Sequence, residues 1–302
     1  MTKRIVFTTT VLLVLVAVTS LRQGVASPSA GVFSGTSPCD EFAKPFLRIP
    51  AGEKCDRIKW QLSLQDSGKY ILKREYGFYP DNQTYLPKDT TSIEGVWKRV
   101  KGGANNPVLI QLDAEKPNSL SFALIDQNLL HPLDATGKLA IGDSGASYTL
   151  NRDQKSAVLA AGATKSINES DLTVKTVFKG RSPCREVAKE LNRLVAGDCF
   201  KLKWLLTLNR DPKTLAPTTY HLKGSLYRDD VREIEHPREG KWQVIKGTKT
   251  NPNAVVYQLD AFGADGPIRL LKADRNVLFF LANDGSLLIG NEDFSYTLNR
   301  FD

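Results

Sequence analysis

The fold is decided by residues 37–64, SPCDEFAKPFLRIPAGEKCDRIKWQLSL, because a matching stretch, SPCREVAKELNRLVAGDCFKLKWLLTL, follows at residues 182–208. In each copy Ser-Pro-Cys precedes a second cysteine, and a tryptophan-centred run of alternating apolar and polar residues comes next. That alternation is typical of a β-strand with one buried face. The inward residues are Ile58, Trp60, Leu62 and Leu64 in the first copy and Leu202, Trp204, Leu206 and Leu208 in the second.

The rest of the chain repeats in the same order. Ser147–Arg152, SYTLNR, returns letter for letter as Ser295–Arg300, and shorter matches fall between at nearly constant spacing. Such a long repeat indicates two tandem domains and not a solenoid, whose units are much shorter. We expect a first domain at residues 32–152, a linker at 153–171 and a second domain at 172–302.

Each unit reads as all-β. Short alternating runs are separated by Gly, Asn, Pro and Asp, which is typical of strands joined by turns. Further strands are expected near 95–100, 108–112, 120–125, 138–141 and 147–151. The pattern predicts two small antiparallel barrels, each with a short helix between its cysteines. The helix is clearest at residues 185–194, where Val187, Leu191 and Leu194 share one face.

The four cysteines are predicted to form one disulfide in each unit. Four cysteines allow three pairings, and the repeat favours Cys39–Cys55 and Cys184–Cys199 because each copy then contains its own pair. Disulfides persist in oxidising compartments, which agrees with the character of residues 1–26. This segment has a charged start at Lys3-Arg4, a short apolar core and small residues before a cleavage point, as in a secretory signal peptide.

Composition argues against a nucleic-acid or membrane role. The net charge of +8 falls to +5 once Lys3, Arg4 and Arg22 are removed with the signal peptide, and basic and acidic residues are interleaved. A nucleic-acid partner would call for a basic stripe, and a transmembrane helix for about 20 apolar residues. We expect a periplasmic or secreted protein with no transmembrane segment in the mature chain and no lipidation cysteine.

The order of motifs resembles the N-terminal domain of the NlpE family of bacterial envelope proteins. The order consists of Gly35, Pro38-Cys39, Cys55, the Trp60 strand, Gly68-Lys69-Tyr70, Gly95-Val96-Trp97, Leu112-Asp113, the turn Leu133–Gly137 and Tyr148-Thr149-Leu150. The resemblance covers both units. It implies lipocalin-like barrels in the cell envelope, with a link to copper tolerance and envelope-stress sensing. Family members differ in having Cys-x-x-Cys, a lipid anchor and a second domain of another type.

The sequence predicts no metal site, no cofactor and no catalytic centre. Copper sites use thiolate, thioether or imidazole ligands; Met1 is the sole methionine, and His131, His221 and His236 lack a chelating spacing. Hydrolase and phosphate-binding motifs do not occur. Asp113, Asp134 and Asp260 follow strands or precede turns, where Asp commonly bonds its own backbone.

The two copies differ most between residues 77 and 93 and between 226 and 239, which are predicted to be long loops. The first contains Phe78, Tyr79 and Tyr85, the candidate ligand-binding residues, whereas the second is highly charged. We expect a non-enzymatic envelope protein, acting in stress sensing or copper and redox homeostasis through an unknown protein partner. The alternative is a lipocalin-type carrier of a small apolar ligand.

Overall fold

The computed structural model describes residues 30–80, 84–102, 108–116, 119–153, 173–190, 199–228, 231–234, 237–261 and 266–301. The predicted signal peptide and nearly all of the predicted linker lie outside these ranges. The described chain is almost entirely β-structure, as predicted, and its strands form two barrels in tandem.

The first barrel closes on itself with eight antiparallel strands in chain order, β8 pairing with β1. Its elements are β1 (Gly31–Pro38), α1 (Ala43–Phe46), β2 (Arg57–Leu64), β3 (Lys69–Phe78), β4 (Leu86–Lys101), β5 (Val108–Leu112), β6 (Leu120–Asp126), β7 (Leu129–Pro132) and β8 (Leu150–Arg152). Full closure leaves a sheet without the unpaired edges that favour aggregation.

The second barrel repeats this topology, and pairing of β10 with β11 closes it. Its elements are β9 (Lys175–Ser182), α2 (Arg185–Glu190), β10 (Cys199–Arg210), β11 (Pro217–Arg228), β12 (Val231–Ile234), β13 (Arg238–Lys246), β14 (Val255–Leu259), β15 (Ile268–Lys272), β16 (Val277–Leu281) and β17 (Thr297–Arg300). The single strand β4 of the first barrel corresponds to β12 and β13 here.

Two local expectations were wrong, and one strand was not predicted. The described residues of 77–93 and 226–239 are mainly strand: β3 runs to Phe78 and β4 begins at Leu86. Residues 138–141 form no strand; Leu139 makes an isolated bridge with Leu133. The strand β7 was not foreseen, because its four residues are all buried and show no alternation. A strand buried on both faces loses the period-two signal.

The second buried face of β7 belongs to a contact between the barrels. Outward apolar residues of β6 and β7 pack against those of β14, β15 and β16 in one cluster. Its buried members are Ala123, Ile125, Leu129, Leu133 and Leu139 from the first barrel, and Ala254, Val256, Leu271, Ala273, Val277, Phe279 and Leu281 from the second. The barrels therefore share a third hydrophobic core besides their own interiors.

This contact has approximate two-fold symmetry. Thr149 and Thr297 occupy the same place in the repeated SYTLNR segment, and their hydroxyl oxygens lie 2.9 Å apart across the contact. Asn151 accepts the Gly290 N–H at 2.8 Å, while its counterpart Asn299 accepts the Gly142 N–H at 2.9 Å. Reciprocal bonds of this kind are the mark of an isologous interface, normally found between identical subunits.

Phe279→Ala should show how much the inter-barrel core contributes to stability. Phe279 is 1% exposed, and removing a buried phenyl ring typically costs about 3–5 kcal/mol. We expect a loss of this size in the free energy of unfolding measured with guanidinium. The matched control is Phe301→Ala, at a residue 53% exposed, for which we expect a change within about 0.5 kcal/mol. Equal effects of the two variants would contradict the buried contact.

Candidate functional site

The interior of each barrel is organised by a tryptophan of the repeated stretch. The Trp60 indole N–H donates to the Ser37 hydroxyl oxygen at 2.8 Å, and Trp204 donates to Ser182 at the same distance. Because a buried indole N–H needs an acceptor, this bond explains the serine of Ser-Pro-Cys. Phe122 and Tyr148 meet the Trp60 ring edge to face.

The two predicted disulfides are present. Cys39 is bonded to Cys55 and Cys184 to Cys199, with Cα–Cα distances of 5.7 and 6.1 Å. Each bond ties the end of the first strand of a barrel to the start of the second strand, β2 or β10. The intervening segment, residues 40–54 in the first barrel, contains α1 and packs on the barrel interior through Ala43, Leu47 and Ile49. We call residues 40–54 the lid of the first barrel.

The lid begins with a carboxylate that joins it to the last strand. Asp40 accepts the N–H groups of Phe42 and Ala43, each at 3.1 Å, and the hydroxyl of Tyr148 donates to the same oxygen. Burial, followed by the charge of Asp40, raises the pKa of Tyr148 far above its usual value. The phenol therefore stays protonated and remains a donor. In the second barrel the Tyr296 hydroxyl instead accepts the Glu186 N–H at 3.2 Å.

An ion pair holds Arg57, the first residue of the strand that follows the lid. The Arg57 guanidinium lies 2.9 Å from one carboxylate oxygen of Asp143 and 3.3 Å from the other. Asp143 also accepts the N–H groups of Gly145 and Ala146, so that its turn and the arginine are held by one side chain. A forked contact of this type is stronger and more directional than a lysine pair.

The candidate ligand residues are only partly brought together. The Tyr79 and Tyr85 rings pack with centroids 5.5 Å apart, and the Tyr79 N–H donates to the carboxylate of Asp56 at 2.8 Å. Phe78 is 36% exposed, and pairs across the hairpin with Leu86. The described end of this hairpin thus lies beside Asp56, the residue that follows Cys55.

Two charged residues beside the tyrosines, Lys59 and Glu75, were not predicted from the sequence. The Lys59 ammonium lies 5.3 Å from the centre of the Tyr85 ring and 3.6 Å from the carboxylate of Asp293 in the second barrel. Burial, and next the charge of Glu75, raises the pKa of Tyr85 above its usual range. The signal was present, since Lys59 and Glu75 face the same side on the adjacent strands β2 and β3. Only the pairing of the barrels, however, brings Asp293 there.

The aspartates at strand ends have structural bonds. Asp134 accepts the N–H groups of Thr136 and Lys138 in its own turn, as predicted. Asp113 accepts the Tyr70 hydroxyl at 3.0 Å and the Val96 N–H at 3.2 Å. Burial alone would raise the pKa of Asp113, yet these bonds and the one from Lys116 outweigh it and lower that pKa. These carboxylates join strands and turns.

The described histidines are engaged in protein contacts. His131 is buried, with Nε2 2.8 Å from the Ala140 carbonyl and Nδ1 2.9 Å from the Thr149 hydroxyl. His221 lies 3.5 Å from Glu239, and His236 is outside the described residues. Within the described ranges, no group of three or more His, Cys, Asp or Glu side chains is placed to hold a metal ion. Neither described helix has the length and apolar content needed to cross a bilayer.

The chain is similar to a solved structure of a bacterial protein. No family model matches the chain, and no curated protein matches it. A crystal structure of the Cpx pathway activator NlpE from Escherichia coli is similar over 68% of this chain and 95% of that chain, at 10% sequence identity and a TM-score of 0.24. That protein bears the name of the family that the order of motifs resembles.

His131→Gln should remove an acid sensitivity from the inter-barrel contact. Burial lowers the pKa of His131 to about 4, whereas a histidine in an unfolded chain titrates near about 6.5. Between these two pKa values the unfolded chain binds a proton at His131 that the folded chain does not. His131 therefore lowers the stability of the fold as the pH falls from about 6.5 towards about 4. We expect about 3 kcal/mol of pH-dependent stability to disappear in the variant.

The measurement is guanidinium unfolding of both proteins from pH 7 to pH 4. Burial raises the pKa of Asp126 to about 6. The folded chain therefore binds this proton before the unfolded chain does, and the contribution of Asp126 to stability increases as the pH falls over the same range. Both proteins contain Asp126, so the difference between their curves isolates His131. Parallel curves would contradict the prediction.

Proposed function

We propose that this chain is an exported envelope protein that senses redox or copper stress at its disulfide-closed barrel mouths, and that it acts by contact with another protein and not by catalysis. The observation that carries the proposal is the position of the disulfides. The first joins the two ends of the lid of the first barrel, so the redox state of the compartment acts directly on that segment. The second links the corresponding two strands of the second barrel.

The chemistry of the thiols supports this reading. An oxidising compartment keeps structural disulfides closed, and a dithiol reductant opens those that it can reach. Copper fits the same groups, because Cu(I) prefers thiolate ligands and the mature chain offers four cysteines and no methionine. Copper would therefore act through the reduced cysteine pairs and not through a histidine site.

The hairpin end beside Asp56 supports a protein partner. Phe78 and Leu86 are exposed on neighbouring strands, at 36% and 43%. Exposed apolar side chains rimmed by charged ones, here Lys88 and Glu53, are typical of contact surfaces. Tyr79, next to Phe78, is bonded to Asp56, the residue that follows Cys55, so a change at this disulfide would reach the surface offered to a partner.

Survival under stress tests this function. We expect deletion of the protein in its source organism to lower survival in copper salt or in a dithiol reductant. Wild-type protein should restore survival, whereas Cys39→Ser/Cys55→Ser and Cys184→Ser/Cys199→Ser show which disulfide is needed. Lys98→Ala, on an exposed position of β4, is the matched control and should restore survival fully. Unchanged survival of the deletion strain under both stresses would overturn the proposal.

A further inference from the structure

Residues 142–149, which we call the interface segment, hold the first barrel against the second. At one end the Gly142 N–H donates to the Asn299 side chain at 2.9 Å, and at the other the Thr149 hydroxyl meets the Thr297 hydroxyl at 2.9 Å. A displacement of this short segment would change bonds at both ends of the inter-barrel contact.

Two residues near the Cys39–Cys55 disulfide bind the interface segment, one close to each of its ends. Asp40, next to Cys39, accepts the hydroxyl of Tyr148. Arg57, two positions after Cys55, pairs with both carboxylate oxygens of Asp143. The Cys39–Cys55 bond adds a covalent link between these two residues, whose strands also pair at Pro38 and Arg57 and through the bond from the Cys39 N–H to the Asp56 carbonyl at 3.3 Å.

The second barrel has the same turn, but an uncharged residue stands in place of the carboxylate that forms the ion pair. Four residues before the repeated SYTLNR, the first barrel has Asp143 and the second has Asn291. The Asn291 amide oxygen accepts the N–H groups of Asp293 and Phe294, as Asp143 accepts those of Gly145 and Ala146. An amide keeps the turn but has no charge for an ion pair. The two disulfides are therefore coupled differently to the contact.

We propose that reduction of Cys39–Cys55, and not of Cys184–Cys199, loosens the contact between the two barrels. A dithiol reductant supplies the electrons: its thiolate attacks one sulfur to form a mixed disulfide, and its second thiolate releases the protein thiol. Two electrons and two protons thus convert the protein disulfide into two thiols, and the reductant becomes a disulfide. Asp40 and Arg57 are then held together by backbone pairing alone, and the interface segment loses the covalent part of its frame.

This inference rests on the proposed function only for its role as a signal; the coupling itself is a property of the fold. It assigns redox sensitivity to the first barrel and makes the separation of the barrels the change that a partner would detect. The second disulfide becomes a stabilising cross-link within its own barrel.

The test is hydrogen–deuterium exchange of the full mature chain, read by mass spectrometry on peptides containing Gly142 and Gly290. These two amides make the reciprocal bonds of the contact. In Cys39→Ser/Cys55→Ser we expect exchange at the Gly142 peptide to rise about tenfold or more, the scale of losing a charged hydrogen bond. Cys184→Ser/Cys199→Ser should leave that peptide unchanged.

Asp143→Asn gives the first barrel the residue of the second, and is the matched control. It keeps the turn and removes the ion pair, so the Gly142 peptide should exchange faster even in the oxidised protein, and reduction should add little. Where one serine variant does not fold, brief dithiol treatment of the other, folded serine variant reduces the remaining disulfide and gives the same comparison. Equal responses to the loss of either disulfide, or wild-type exchange in Asp143→Asn, would overturn the coupling. A positive exchange result with unchanged survival under stress would refute the proposed function alone.

Discussion

Each barrel depends on a hydrogen bond between a tryptophan at its centre and a serine at the end of its first strand. A buried indole N–H without an acceptor would carry a substantial desolvation cost. Trp60 meets this requirement with Ser37, and Trp204 with Ser182. The bond sets the register of the first two strands, and the residues that follow the serine, Pro-Cys, then leave the sheet at the barrel mouth. The position of the lid and of its disulfide follows from this one interior contact.

The sequence predicted what local periodicity and the repeat encode. The strand around Trp60 alternates cleanly, and its partner in the other copy does the same, so the all-β fold and the cysteine pairing could be inferred. The strands of the inter-barrel face could not be predicted equally well. The strand of Val277–Leu281 is buried at every position, and a run of that kind does not show which residues face the barrel and which face its neighbour. The sequence did not show that these strands pack on both faces, with one face in the barrel and the other against the neighbouring barrel.

The candidate site shows the same division. Asp40 and Arg57 adjoin the cysteines in sequence, but their partners Tyr148 and Asp143 lie far along the chain and are brought back by barrel closure. Tyr79 and Tyr85 were found because they lie where the two copies differ most in sequence. Their neighbour Lys59 is an ordinary outward residue of a strand, and its contact with Asp293 exists only because the barrels pair. Contacts that need two closed barrels leave no local pattern in either copy.

The pairing of the barrels explains why the unit occurs twice. A single barrel with an outward face of Ala123, Ile125 and Leu129 would expose an apolar surface of the kind that invites association. A second copy covers that face with its own, through bonds that are reciprocal at Asn151 and Asn299. Once both copies lie in one chain, the two halves of the contact are free to differ. His131 meets Phe279 on the axis, and Asp143 stands where the other barrel has Asn291. The symmetric contacts hold the barrels together, and the sensitivity that we propose to reduction of one disulfide rests on the differences between the copies.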